Sequence, residues 1–287
     1  MPLTVQAALL GVVQGLTEFL PVSSSAHLIL ARLFFGFDSD KFGLSFDVAC
    51  HIGTLIAVLI YFRAEIVNMI AALPRLPAAL AQRGATPASG RRSEKDADAW
   101  LVWLIVVGTI PAVIAGLLFK NRIEEELRTP TIAAFFLAVG AIFFFVAERA
   151  SSDTRTNGSM TLVEVFLVGC AQAVALIPGV SRSGSTLTIL LILGLRRSDA
   201  ARFTFLLGIP AILGAAVSEA PKMLKAGLGG GDAGMLFLIG IVFSAIVGFA
   251  AVKFFIRYLG NHSLNAFAWY RLALAAATVV WVLSVGA

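Results

Sequence analysis

Pro178-Gly-Val-Ser-Arg-Ser-Gly-Ser-Thr186 lies between two apolar runs, residues 162–177 and 187–195. It sets an arginine among residues suited to a membrane interior. A charge at that depth is costly unless it faces a polar cavity or a partner. Ser181, Ser183, Ser185 and Thr186 surround Arg182 with hydroxyls, and Gly179 and Gly184 let backbone amides approach a ligand closely. A guanidinium, hydroxyls and free N–H groups together have the chemistry of a phosphate site. The competing reading is an arginine that snorkels from a helix end while the serines cap the next helix.

The rest of the chain agrees with a membrane setting. Of its 287 residues, 59% are hydrophobic and 14% charged, and the mean hydropathy is +0.90. That composition excludes an ordinary soluble domain. Several apolar runs are long enough to cross a hydrocarbon core of roughly 30 Å. The formal net charge of +5 therefore reads as cytoplasmic loops and contacts with anionic lipid, and no nucleic acid is implied. Cys50 and Cys170 both lie in apolar segments and read as small buried residues. The first segment lacks a basic n-region and carries Gln14 and Glu18 in its apolar stretch, so it does not read as a removable signal peptide.

Residues 5–20 form a short helical pattern that Pro21 ends. A hydroxyl-rich turn follows at 22–27, then a second short apolar piece at 28–35. Two half-length helices around a polar turn suggest a re-entrant hairpin, because irregular backbone at membrane depth is tolerated only inside protein or beside water. Residues 161–177, 178–186 and 187–195 repeat the pattern. Full spans are expected at 46–62, 100–119, 131–147, 203–217, 235–255 and 266–285, with Trp100, Trp103, Trp269 and Tyr270 suited to the interface. Residues 63–98 form the longest polar loop, with room for a short surface helix. Connectors fall at 120–130, 150–160, 196–202 and 218–232.

The two halves resemble each other. Gly11-Val-Val-Gln14 followed by Ser23 matches Gly169-Cys-Ala-Gln172 followed by Ser181, with nine residues from Gln to Ser in both, and Ile52-Gly-Thr-Leu matches Ile209-Pro-Ala-Ile. The expected fold is an all-α polytopic membrane protein with six full transmembrane helices plus two re-entrant helix-turn-helix hairpins. These form an inverted-topology repeat within a single membrane domain, 1–287. The first repeat is 1–149, carrying the polar loop 63–98, and the second is 160–287. This topology puts 14 Lys/Arg on one side, Arg271 among them, and 7 on the other. The richer side is then cytoplasmic, and both termini and the mouth of the first hairpin face outward.

If the hairpins meet, Gln14, Glu18, Ser23, Ser24, Ser25 and His27 converge with Ser181, Arg182, Ser183 and Thr186. Gln14 and Glu18 share a helical face. Arg182 would clamp phosphate oxygens and stabilise transition-state charge, and Ser23, Ser181, Ser183 and Thr186 would fix the phosphate. Ser24 is a candidate nucleophile activated by His27 or Glu18. Glu18, with Gln14, is instead a candidate for holding a divalent cation that bridges pyrophosphate oxygens. Asp47 and His51, near the start of a span, read as interface or structural residues, and Glu164 and Glu219 as residues of the membrane boundary. The same anion-binding groups would also serve a transporter or flippase for a phosphorylated isoprenoid lipid.

Gln14-Gly-Leu-Thr-Glu18-Phe-Leu-Pro-Val-Ser-Ser-Ser-Ala-His27 and Pro178-Gly-Val-Ser-Arg-Ser-Gly-Ser-Thr186 resemble the two signature motifs of the bacterial undecaprenyl-pyrophosphate phosphatase family, the intramembrane type linked to bacitracin resistance. One motif is (Glu/Gln)-x-x-x-Glu with a downstream histidine, and the other is Pro-Gly-x-Ser-Arg-Ser-x-x-Thr. The resemblance covers the chain in motif order, length and hydropathy. It implies hydrolysis of undecaprenyl pyrophosphate to undecaprenyl phosphate and inorganic phosphate, which recycles the lipid carrier of cell-wall synthesis. It also implies a divalent cation, Mg2+ or Ca2+. The implied setting is the bacterial cytoplasmic membrane, with a site open to the outer face. The implied functional residues are Glu18, Ser24, His27, Ser181, Arg182 and Thr186. Gln14 stands where many members have glutamate, which puts a two-carboxylate metal site in doubt. Oligomeric state stays open, a homodimer among the options.

Overall fold

A computed structural model describes residues 1–38, 41–77, 94–227 and 230–285, with the side chains of 94 and 95 left aside. Of the long polar loop expected at 63–98, residues 78–93 lie outside the described residues, and Arg63–Ala72 is helical. The described chain is helical: α1 Leu3–Phe19, α2 Ser24–Phe35, α3 Leu44–Tyr61, α4 Arg63–Ala72, α5 Glu94–Glu125, α6 Pro130–Ala150, α7 Leu162–Val174, α8 Arg182–Ile192, α9 Arg197–Lys225, α10 Gly231–Leu259 and α11 Asn265–Val285. Six of these, α3, α5, α6, α9, α10 and α11, are long and apolar enough to cross a bilayer. The protein is a multi-pass membrane protein.

The helices outrun the apolar windows. Residues 120–130, expected as a connector, continue α5 as far as Glu125, and the basic stretch at 196–202 is mostly the first turns of α9. α9 also runs past Pro210 and Pro221 to Lys225, through much of the expected Gly-rich loop. Hydropathy marks where a helix leaves the hydrocarbon, not where it ends. The charged ends are held by pairing between helices: Lys222 Nζ lies 3.2 Å from Glu124 on α5 and 3.3 Å from Glu219. Glu219, expected at a boundary, is buried and accepts a bond from Ser45 Oγ at 2.9 Å. Glu164 closes a capping box with Thr161 at the start of α7.

Two short helix pairs interrupt the long helices. α1 stops at Phe19 and α2 starts at Ser24, and α7 stops at Val174 and α8 starts at Arg182. Each second helix follows a serine in the left-handed region, Ser23 at φ 72° and Ser181 at φ 73°. Around them α1 packs on α10, α3 on α10, α5 on α7 and α6 on α11. Gly11 and Gly15 bring α1 so close to α10 that an added Cβ would meet α10 backbone at 2.9 Å. Phe19 and Phe205 meet edge to face at 5.3 Å between centroids, filling the core beside the first pair.

A buried charge cluster ties α2 to α3. Asp47 is 3% exposed and takes both guanidinium nitrogens of Arg32, at 2.6 and 3.1 Å, and it also pairs with Arg128. Arg32 further donates to Phe42 O at 2.7 Å. Asp47→Ala leaves two guanidinium groups without their carboxylate. It is expected to destabilise the fold by about 3–5 kcal/mol, read as a lowered melting temperature in mild detergent. An unchanged melting point would mean that carbonyls and solvent suffice for both arginines.

Candidate active site

The two short-helix junctions meet. Gly179 N donates to Ser23 Oγ at 3.1 Å, and Ser183 Oγ donates to Leu20 O at 3.3 Å. The starts of α2 and α8 are thereby held together. The first amides of a helix have no intrahelical acceptor and carry the positive end of the helix dipole. Two such ends in contact favour an anion.

Glu18 is the hub. It is 7% exposed. Its Oε2 accepts Ser24 Oγ at 2.6 Å and Gln14 Nε2 at 2.9 Å, and its Oε1 accepts Arg182 Nη2. The pairing of Gln14 with Glu18 follows from their one-turn spacing on α1. Arg182 reaches Glu18 from the other half of the chain and also donates from Nη1 to Gly208 O at 2.9 Å. A Cβ at Gly208 would lie 3.1 Å from the guanidinium carbon, so glycine there makes room for Arg182.

The remaining expected residues fall into three groups. Ser23 and Ser181 stand at the junctions. Ser23 Oγ shares a bond with Ser25 Oγ at 3.2 Å, and Ser181 Oγ accepts Gly184 N at 3.1 Å and lies 3.3 Å from Ser183 Oγ. His27 lies one turn into α2. Its Nδ1 donates to Ser23 O at 2.8 Å and its Nε2 meets Tyr270 Oη at 2.7 Å, so neither ring nitrogen is bonded to Ser24. Thr186 is fully buried, and its hydroxyl donates to Arg182 O at 2.8 Å and to Thr204 Oγ1 at 3.2 Å. It braces α8 against α9 rather than turning toward the junction.

Three residues join the site that the sequence did not single out. His51, on α3, was read as interfacial or structural, yet its Nε2 lies 3.4 Å from Glu18 Oε2 while its Nδ1 donates to Asp47 O at 2.7 Å. Tyr270 holds His27. Arg271, counted among cytoplasmic loop charges, is instead fully buried beneath both junctions. None of the three adjoins a motif in the chain. Polar residues inside apolar spans were the only available signal.

Glu18 is the one carboxylate among the expected metal-binding pair, Glu18 and Gln14. No cluster of three His, Cys, Asp or Glu residues occurs among the described residues. Both oxygens of Glu18 are taken by N–H or O–H donors. Gln14 Oε1 is buried and has no hydrogen-bond partner among the described residues.

Fold and site together define a multi-pass helical membrane protein with a hydroxyl-rich centre built on a buried carboxylate paired with a half-buried arginine. A family profile described as "Bacitracin resistance protein BacA" matches residues 7–277. The chain is 45% identical over 271 residues to an undecaprenyl-diphosphatase of Rubrobacter xylanophilus, covering 94% of this chain and 95% of that one. It is 41% identical over 285 residues to an undecaprenyl-diphosphatase of Trichlorobacter lovleyi, at 98% and 97% coverage. A protein of Stutzerimonas stutzeri named undecaprenyl-diphosphatase 2 is 43% identical over 279 residues, at 96% and 97% coverage. The chain belongs to the BacA bacitracin resistance family.

Proposed function

We propose that this protein hydrolyses undecaprenyl pyrophosphate to undecaprenyl phosphate and inorganic phosphate in the bacterial cytoplasmic membrane. The observation that carries the reading is the Ser24–Glu18–Arg182 arrangement at the start of two helices: a hydroxyl donating to a carboxylate at 2.6 Å, and the carboxylate in turn held by a guanidinium. The relatives' names supply the substrate. A lipid with a compact, highly charged head suits a polar centre inside an apolar protein, with lipid tails accommodated between helices.

On this reading the terminal phosphoryl group lies against the N-termini of α2 and α8, and the N–H groups of Arg182 not engaged by Gly208 and Glu18 bind its oxygens. Ser24 Oγ attacks the terminal phosphorus, and the bond from that phosphorus to the bridging oxygen breaks. Undecaprenyl phosphate leaves with the bond's electron pair. The Ser24 proton passes to Glu18 Oε2, its existing acceptor. Water then attacks the phosphoserine and the P–Oγ bond breaks: the water's OH stays on phosphorus as inorganic phosphate, its other proton goes to Ser24 Oγ, and the proton first taken by Glu18 is passed on. His51, whose Nε2 faces the same carboxylate oxygen, is the next stop for that proton. His27 is engaged by Tyr270 and Ser23, and its role is to fix the start of α2. The divalent cation implied by the motifs would travel with the pyrophosphate as its counter-ion, and Gln14 Oε1, buried and without a hydrogen-bond partner among the described residues, would be an oxygen available to it.

The two helix pairs are read as re-entrant hairpins of an inverted repeat, 1–149 and 160–287, in one membrane domain. The matched left-handed serines and the equal Gln-to-Ser spacing support this. The Lys/Arg imbalance supports a site open to the outer face. No observation favours the flippase alternative. The test is phosphate release from undecaprenyl or farnesyl pyrophosphate by purified protein in detergent, with EDTA and with magnesium or calcium restored. Release is expected, lost with EDTA and recovered with the cation. A folded protein that releases nothing with either cation would overturn the reading and direct attention to lipid movement in liposomes.

A further inference from the structure

Arg271 is a guanidinium with no exposure to solvent, and among the described residues every hydrogen-bond partner it has is a backbone carbonyl. Nη1 donates to Pro21 O at 3.1 Å and to Val180 O at 3.2 Å. Nη2 donates to Gly179 O at 2.8 Å, Phe136 O at 3.0 Å and Val180 O at 3.2 Å, and Nε donates to Leu137 O at 3.1 Å. One side chain on the last described helix thus bonds the first junction, the second junction and α6 together. Its planar fork is suited to this, since five N–H donors in fixed directions can serve several acceptors at once. Phe144 stacks beneath it, with the guanidinium carbon 5.0 Å from the ring centroid.

A buried charge without a counter-ion is costly, so the position calls for a reason that a neutral side chain would not meet. Two are visible. In a trans peptide the C=O and the following N–H point in opposite directions. Holding Val180 O toward Arg271 therefore turns the Ser181 amide away from the guanidinium, on the side where α8 starts. Ser181 itself sits at φ 73°, a conformation that costs a non-glycine residue energy unless its surroundings enforce it. The two hydrogen bonds to Val180 O and the one to Gly179 O supply that enforcement on the preceding peptides. The second reason is charge. Arg271 adds a full positive charge behind two helix N-termini that already carry partial positive charge.

We propose that Arg271 is the positioning residue of the site: from beneath both junctions it fixes the Val180–Ser181 peptide and the Pro21 carbonyl two residues before Ser23, and backs the pyrophosphate-binding helix ends with a buried cation. The inference rests on the phosphatase reading above for the identity of the anion. Gly140 belongs to the same device, because a Cβ there would run into the guanidinium.

The experiment compares wild type, Arg271→Lys, Gly140→Ala and Val252→Ala. Val252 is a fully buried apolar core residue of α10 that offers no side-chain hydrogen bond to either junction, and its variant controls for stability loss alone. Melting temperature, kcat and KM with farnesyl pyrophosphate, and affinity for a farnesyl methylenediphosphonate analogue are measured for each. Arg271→Lys is expected to lose about 100-fold in kcat, the cost of small displacements of site groups. Gly140→Ala should lose kcat by about 10-fold while its helix is, if anything, stabilised. Val252→Ala should keep kcat within about three-fold at a comparable or larger loss of melting temperature. The proposal fails if Arg271→Lys and Gly140→Ala fold and keep wild-type kcat, or if Val252→Ala loses activity in the same proportion to its melting point. Should Arg271→Lys not fold, Gly140→Ala decides. A wild type that binds the analogue without hydrolysing substrate would remove the phosphatase reading alone. Analogue affinity, expected to weaken in both site variants, would then test Arg271 by itself.

Discussion

Arg182→Lys is expected to slow phosphate release by about 10³-fold while leaving the protein folded, the scale on which loss of a transition-state cation or oxyanion donor is felt. The substitution keeps a positive charge, so the pairing with Glu18 can persist in part and the buried carboxylate is not abandoned. What it removes is the planar fork. Arg182 now spans Gly208 O at 2.9 Å and Glu18 with separate nitrogens, which leaves further N–H groups in the same plane for phosphate oxygens. A lysine ammonium offers three donors from one point and cannot reproduce that spread. Arg182→Ala goes further: it leaves Glu18 with only Ser24, Gln14 and His51 around a nearly buried charge, and both rate and stability should fall. Turnover close to wild type in Arg182→Lys would mean that the arginine merely neutralises Glu18 and takes no part in transferring the phosphoryl group.

Ser24→Ala carries the second large effect. If Ser24 Oγ attacks phosphorus, its removal should lower kcat by about 10⁴-fold or more, as loss of a nucleophile does elsewhere. The structural cost should be small, since a single hydrogen bond to Glu18 is lost, worth roughly 0.5–1.5 kcal/mol. Melting temperature and analogue binding should therefore change little while phosphate release collapses. Rapid quenching of wild type with labelled substrate should trap label on the protein, and Ser24→Ala should trap none. Residual hydrolysis above about a tenth of the wild-type rate would instead favour direct attack by water, with Glu18 as its base. The geometry already narrows the choice of base. Ser24 donates to Glu18 at 2.6 Å, whereas both nitrogens of His27 are engaged elsewhere.

Much of this centre could be read along the chain. The Gln14–Glu18 spacing, the two polar turns and Arg182 amid apolar runs all arise from short-range pattern. The meeting of the two turns follows once the halves are seen to match. What the chain could not disclose is long-range. His51 reaches Glu18 only because α3 packs beside α1, and nothing in its own neighbourhood distinguishes it from an interfacial histidine. Asp47 looked like a cheap polar residue near a helix end, but Arg128, far away in sequence, makes it the centre of a buried cluster. Thr186 belongs to the motif by spacing, and helical rotation turns its hydroxyl onto Arg182 O and Thr204, a bracing contact that spacing alone does not show. Helix ends were the other casualty, because charged final turns such as 120–125 are soluble in either reading and are decided by partners on neighbouring helices.

Tyr270 and Arg271 sit on α11, the last helix described, and they touch His27 and both junctions near the start and middle of the chain. Synthesis runs in the opposite order. The motif residues are translated and inserted long before the side chains that hold them in register exist. A nascent chain halted before residue 270 would carry every motif residue in the membrane, yet its junctions would lack their clamp. With Arg271 as the clamp, competence arrives with the last described span, and chains halted before it would present their junction serines and Arg182 to membrane quality control as an unfinished protein.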